Sequence, residues 1–156
     1  ERIGDRAVNI AESVKELVDK KLVFSDEARY ELNVIADALR EIVEKTKKCF
    51  VDGDIEAAYM VEPIEEVIDD LVEKSKDNHV ARLKEGTCTL ELGLILNDIL
   101  INLERISDHC SNIAADKIEQ NGGNLHLHEY KKRIKEQKDE QFARLYSEYS
   151  EKYKIE

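Results

Sequence analysis

The stretch "CTLELGLILNDILINLERISDHCSNIAADKIEQ", residues 88–120, decides how the rest of the chain is read. Its first half is apolar on nearly every side: Leu90, Leu92, Leu94, Ile95, Leu96, Ile99, Leu100, Ile101 and Leu103. A helix that greasy in a water-facing protein belongs at the centre of a helical core. Each fully buried aliphatic side chain contributes about 1.5–3 kcal/mol, so this helix organises the others. Its second half changes character at Glu104 and ends in a polar face.

Composition agrees with helix throughout. There is a single Pro, Gly is scarce and Trp is absent; what dominates is Glu, Lys, Leu, Ile and Ala, which favours helix over strand. Hydrophobic residues make up 42%, enough for a core. The expected fold is all-α.

Working outward, Ile3, Ala7, Ile10, Val14 and Leu17 recur at helical steps and predict one apolar helix face over residues 1–20. Ser25 is placed to cap a second helix that runs to Gly53, and Asp54 to cap a third. Pro63 lies inside that third pattern and predicts a kink. Gly86 can end it, with Thr87 as cap of the fourth. "NGGN" at 121–124 is the clearest break. Beyond it, Tyr130, Ile134, Phe142, Leu145, Tyr149 and Tyr153 form a thin stripe, the mark of an amphipathic helix that packs outside the bundle or against a partner.

The net charge of −11 comes from 35 acidic against 24 basic residues. That surface repels nucleic-acid phosphates and anionic lipid, so neither nucleic acid nor direct lipid insertion is expected. Cys49, Cys88 and Cys110 are odd in number and far apart, which argues for a reducing compartment and against a disulfide framework. The longest apolar run is too short for a membrane span and is broken by Asn97 and Asp98. The pattern begins in mid-helix, as an excised piece of a longer chain would.

One phrase occurs twice. "ERIGDRAVN" at 1–9 and "ERISDHCSN" at 104–112 agree at Glu, Arg, Ile, Asp and Asn in one register. Four-residue steps turn an α-helix by only about 40° beyond a full turn. Glu1, Asp5 and Asn9 therefore share a face, as do Glu104, Asp108 and Asn112. Surface ion pairs with Arg2, Arg6 and Arg105 are the plainer account. Repetition next to an apolar half-helix favours a partly buried carboxylate pair, which needs a counter-charge. An oxygen-only set suits a hard cation such as Mg²⁺, Mn²⁺, Ca²⁺ or Fe³⁺ rather than zinc. "VEPIEEVIDD" adds Glu62 and Glu66 at the same spacing, with Asp69 continuing the face; a solvated acidic run is the competing reading.

Catalytic patterns are missing. None of His79, His109, His126 or His128 follows a Glu by three residues, against a ferritin-like di-metal enzyme. No Gly-rich phosphate loop is present, and Cys110 reads as a small core residue. The chain is not expected to be an enzyme.

"LERISDHCSNIA", with its partner "ERIGDRAVNIAE", resembles the E-x-x-x-D signature of PhoU proteins, bacterial phosphate regulators built from two similar three-helix bundles with multinuclear metal clusters at these motifs. "KEGTCTLELGLILNDILINLERISDHCSNIA" and "VEPIEEVIDDL" look most like the PhoU-like C-terminal module of bacterial Na⁺/phosphate cotransporter-related proteins. The resemblance implies three parts: the tail of a preceding half at 1–20, a complete three-helix bundle at 25–120, and an extension at 125–156 that carries no likeness. It implies Glu104 and Asp108 as foremost metal ligands, Glu62 and Glu66 next, and Glu1 and Asp5 in an incomplete second site, with iron, manganese or magnesium as the metal. It also implies a cytoplasmic regulatory module on the membrane transporter of its parent chain, or else a stand-alone PhoU-type regulator that docks on a transporter complex. A homodimer is compatible with either.

Overall fold

Ser25 accepts a hydrogen bond from the Ala28 amide at 3.2 Å, and Asp54 accepts one from the Ala57 amide at 3.0 Å, so both expected caps start helices where the sequence placed them. The computed structural model describes residues 1–121 and 140–155. Among the described residues there are five α-helices: α1 (Arg2–Asp19), α2 (Asp26–Lys47), α3 (Ile55–Lys84), α4 (Leu90–Gln120) and α5 (Glu140–Lys152). No strand occurs among the described residues. A π-helical turn, Lys48–Asp52, extends α2 to Gly53, whose φ of 69° reverses the chain.

The fourth helix is capped by Thr89, which accepts from the Leu92 amide at 3.3 Å, rather than by Thr87. Thr87 instead donates to the Arg82 carbonyl and closes the end of α3. Through Pro63, α3 continues as one helix of 30 residues.

Helices α2, α3 and α4 enclose the core, with Ile35, Ile42, Ile64, Ile68, Leu96 and Leu100 fully buried. Cys110 is buried among them, as its sequence position implied. Two contacts set α1 antiparallel on α4: Asn9 with Asn102, and Lys20 with Glu91. Helix α5 packs on α3. Tyr130 and Ile134 of the expected C-terminal stripe lie outside the described residues, as do His126 and His128.

Two expectations about apolar faces are corrected. Ile3, Ile10 and Leu17 pack against the core, but Ala7 and Val14 are exposed. With α4 as its main neighbour, α1 covers only a narrow stripe. Likewise the first half of α4 is not buried all round: Leu90 is 69% exposed and Leu94 62%. No helix among the described residues is long and apolar enough to cross a membrane.

Candidate metal centre

Small buried residues on α4 open the room that acidic residues on α3 occupy. Ser107 and Ser111 are 0% and 1% exposed on the α3-facing side of α4. Ser107 satisfies itself locally, donating to the Glu104 carbonyl at 2.7 Å. Ser111 reaches across and donates to the Glu62 carboxylate.

Glu62 and Glu65 are 4% and 6% exposed, and Glu66 is half-buried. At spacings of three and four residues they fall on adjoining parts of one helix face. Each offers a carboxylate oxygen within 4.8 Å of the others. Two ionised carboxylates at that distance repel by about 3–4 kcal/mol at an effective dielectric of ~20. Glu65, Glu66 and Asp69 are engaged by further groups as well. The donor set is all oxygen, largely removed from water and compact. It fits a hard cation, which would supply the compensating charge.

Glu104 and Asp108 sit at the rim, each with about a third of its side chain exposed. Lys76 of α3 donates to Glu104 at 3.4 Å, and Arg105 pairs with Asp108 at 3.1 Å. Among the described residues they do not join the compact carboxylate group, although Asp108 stands one turn from Ser111 on the same helix. Arg105 thus acts as the surface partner the sequence allowed for.

Glu1 and Asp5 are exposed at the start of α1. Asn9, third member of the first phrase, donates to Asn102 at 3.1 Å, and Asn102 donates in turn to the Asp98 carbonyl at 2.8 Å. Its work is to fix the register of α1 on α4. Asn112, its counterpart, is exposed. His109 is half-buried, and its Nε2 makes no hydrogen bond.

Sequence reasoning passed over Glu65 and Ser111. Glu65 was within reach, since "IEEV" places it three residues from Glu62. Nothing local marks Ser111; only the register of α3 against α4 reveals it. A second buried polar centre was also missed. Glu31, 3% exposed, accepts from Ser75 at 2.8 Å, Asn78 at 3.0 Å and both terminal nitrogens of Arg82, at 2.7 and 3.1 Å. Burial pushes its carboxyl up, but Arg82, Ser75 and Asn78 outweigh that and hold it below the ordinary range. With its lone pairs filled, this centre ties α2 to α3.

The PhoU domain family matches residues 32–116. Over 118 residues the chain is 34% identical to the "Phosphate-specific transport system accessory protein PhoU homolog 1" of Thermotoga maritima, covering 76% of this chain and 50% of that protein. It is 26% identical over 113 residues to the PhoU homolog 2 of the same organism, covering 72% of this chain and 47% of the relative. The chain thus spans about half the length of these curated relatives. No solved structure matches it.

Proposed function

The chain belongs to the PhoU family, and from that premise we propose that it regulates phosphate transport as an accessory protein that binds a hard cation and docks on a transporter. The observation that carries this is the compact, mostly buried carboxylate group of Glu62, Glu65 and Glu66 facing the Glu104–Asp108 motif helix. Glu62 and Glu66 would hold the cation together with Glu65. Ser111 orients the Glu62 carboxylate, and Asp108, one turn from Ser111 on α4, is the motif residue that would extend the set. Iron, manganese or magnesium would supply positive charge there.

Relatives named as transport-system accessory proteins favour a separate regulator over a module of a Na⁺/phosphate cotransporter-related chain. Docking on the cytoplasmic side of a transporter follows from that choice of partner. The test is physiological. In a bacterial host lacking its own PhoU protein, expression of the chain should restrain phosphate uptake, whereas Glu62→Gln/Glu66→Gln should not. Unrestrained uptake with the unmodified chain at normal protein levels would sink the regulatory reading.

A further inference from the structure

Between α3 and α4 the chain turns through Glu85, Gly86, Thr87 and Cys88, and there a thiol meets a buried imidazole. Gly86, at a φ of 71°, lets the chain leave α3, and the Thr87 amide closes back on the Arg82 carbonyl at 3.0 Å. The turn brings Cys88 back against α3, with its sulfur 3.5 Å from His79 Nδ1. The Thr89 carbonyl is farther from that sulfur, at 3.7 Å.

His79 is only 7% exposed, and its other ring nitrogen, Nε2, is buried and makes no hydrogen bond. Among the described residues the sulfur is thus the ring's polar partner. A buried imidazole costs free energy unless its nitrogens are bonded, and S–H is a weak donor, so packing alone is a poor reason for a histidine here. Gly93 of α4 sets the ring's orientation. A Cβ there would fall 2.2 Å from Nε2, so the missing side chain admits the ring and leaves Nδ1 directed at the sulfur. Burial first, and the Arg82 cation second, push the His79 pKa down against the opposing pull of Glu31. The ring is therefore neutral at pH 7, the form that takes up a proton. Arg82, three residues along α3, is held foremost by Glu31 and lies within electrostatic reach of Cys88, which favours negative charge developing on the sulfur.

The three cysteines differ in access. Cys49 and Cys110 are 0% exposed, whereas Cys88 is half-buried between the exposed Thr87 and Thr89, where a small solute reaches it.

We propose that Cys88 and His79 form a thiol–base pair and that Cys88 is a site of reversible oxidation by a hydroperoxide. A nucleophile, a base within hydrogen-bond reach and a contact that orients the base are the parts this chemistry needs. The Cys88 S–H proton passes to His79 Nδ1 as the sulfur attacks one oxygen of hydrogen peroxide. An S–O bond forms and the O–O bond breaks; the departing hydroxide takes the proton from Nδ1 and leaves as water. Sulfur is oxidised to a sulfenic acid and the peroxide is reduced. Two equivalents of a small thiol restore Cys88: the first displaces water to give a mixed disulfide, and the second releases the cysteine and leaves as the small disulfide. This pair stands apart from the carboxylate group and from the regulatory reading.

The experiment uses the full chain, hydrogen peroxide as oxidant and excess dimedone to trap sulfenic acid, with the label located by mass spectrometry of peptides. Cys88 should be labelled at least about tenfold faster than N-acetylcysteine under the same conditions, with Cys49 and Cys110 unlabelled. His79→Gln should slow Cys88 at least about tenfold, toward the free thiol, in a chain whose helical signal is unchanged. Labelling of Cys88 no faster than the free thiol would overturn the proposal, and that comparison needs no substitution. An unchanged rate in a folded His79→Gln chain would overturn it as well. So would label on Cys49 or Cys110 at the rate of Cys88, which would trace the reaction to unfolded chain.

Discussion

Ser111 of α4 donates its hydroxyl to the carboxylate of Glu62 on α3, and both residues are withdrawn from solvent, at 1% and 4% exposure. This bond joins the helix that carries the Glu104–Asp108 motif to the helix that carries the carboxylate group. It lets a buried charge keep one fixed donor while its other oxygen stays available to the cluster.

Ser111→Ala removes that donor without adding bulk. The buried Glu62 carboxylate then loses a partner, a change that costs about 1–3 kcal/mol. Urea denaturation of the metal-free chain should show a lowered midpoint with an unchanged slope. Unchanged stability would mean that the hydroxyl contributes nothing to holding Glu62.

Arg82→Ala should be the more severe change. It leaves Glu31 buried with only Ser75 and Asn78, and breaking a buried ion pair from one side costs about 3–5 kcal/mol. The same centre gives a pH dependence. Because the Glu31 pKa is lower in the folded chain than unfolded, its contribution is complete above the ordinary carboxylate value of about 4.3 and is lost as pH falls through the lower, folded value. Glu31→Gln should flatten the decline in urea midpoint below about pH 4.3, and an equally steep decline in that variant would assign the effect to other acids.

How much of this was legible from residue order depends on the range of the interaction. Ser25, Gly53 and Asp54 act on backbone within a few residues, and each was readable as a cap or a helix stop. Thr89 rather than Thr87 caps α4 because Arg82 draws Thr87 into the end of α3, a competition that residue identity does not reveal. Exposure of Leu90 and Leu94 has the same origin: hydropathy counts apolar residues without saying which side of a helix has a neighbour. At the site, Glu62 and Glu66 were visible by spacing. Glu65 joins them through the spacing of α3 itself. Which group of α4 reaches the carboxylates depends on the register of α3 against α4, and there it is Ser111 that meets Glu62.

Gly93 supplies a test of that register. A Cβ there would lie 2.2 Å from His79 Nε2, and His79 is only 7% exposed. Its Nδ1 is 3.5 Å from the Cys88 sulfur, which limits the ring's freedom to turn away. Gly93→Ala should therefore destabilise by about 1–3 kcal/mol through overpacking, although Ala is the better helix former by about 1 kcal/mol. Adding His79→Ala should recover part of that loss. Thermal melts of the single and double variants decide it, and additive losses would contradict the contact.

Lys21 provides a prediction of opposite sign. It ends α1 with φ at 55°, and the Leu22 amide closes back on the Leu17 carbonyl at 2.9 Å. A side chain is strained in that conformation and glycine is not, so Lys21→Gly should stabilise by about 0.5–1 kcal/mol after glycine's greater loss of backbone freedom. A lower melting temperature in that variant would show that the lysine side chain does more for the turn than the structure indicates.

The central claim is that Glu62, Glu65 and Glu66 hold a hard cation. The most direct measurement is the metal content of the chain and of Glu62→Gln/Glu66→Gln, by elemental mass spectrometry after incubation with manganese, iron or magnesium and removal of free ion. Retained metal in the unmodified chain, absent from a variant that remains folded, is the result this account predicts. Metal absent from both, or equally present in both, would contradict it and leave the carboxylate group as a structural or protein-binding feature.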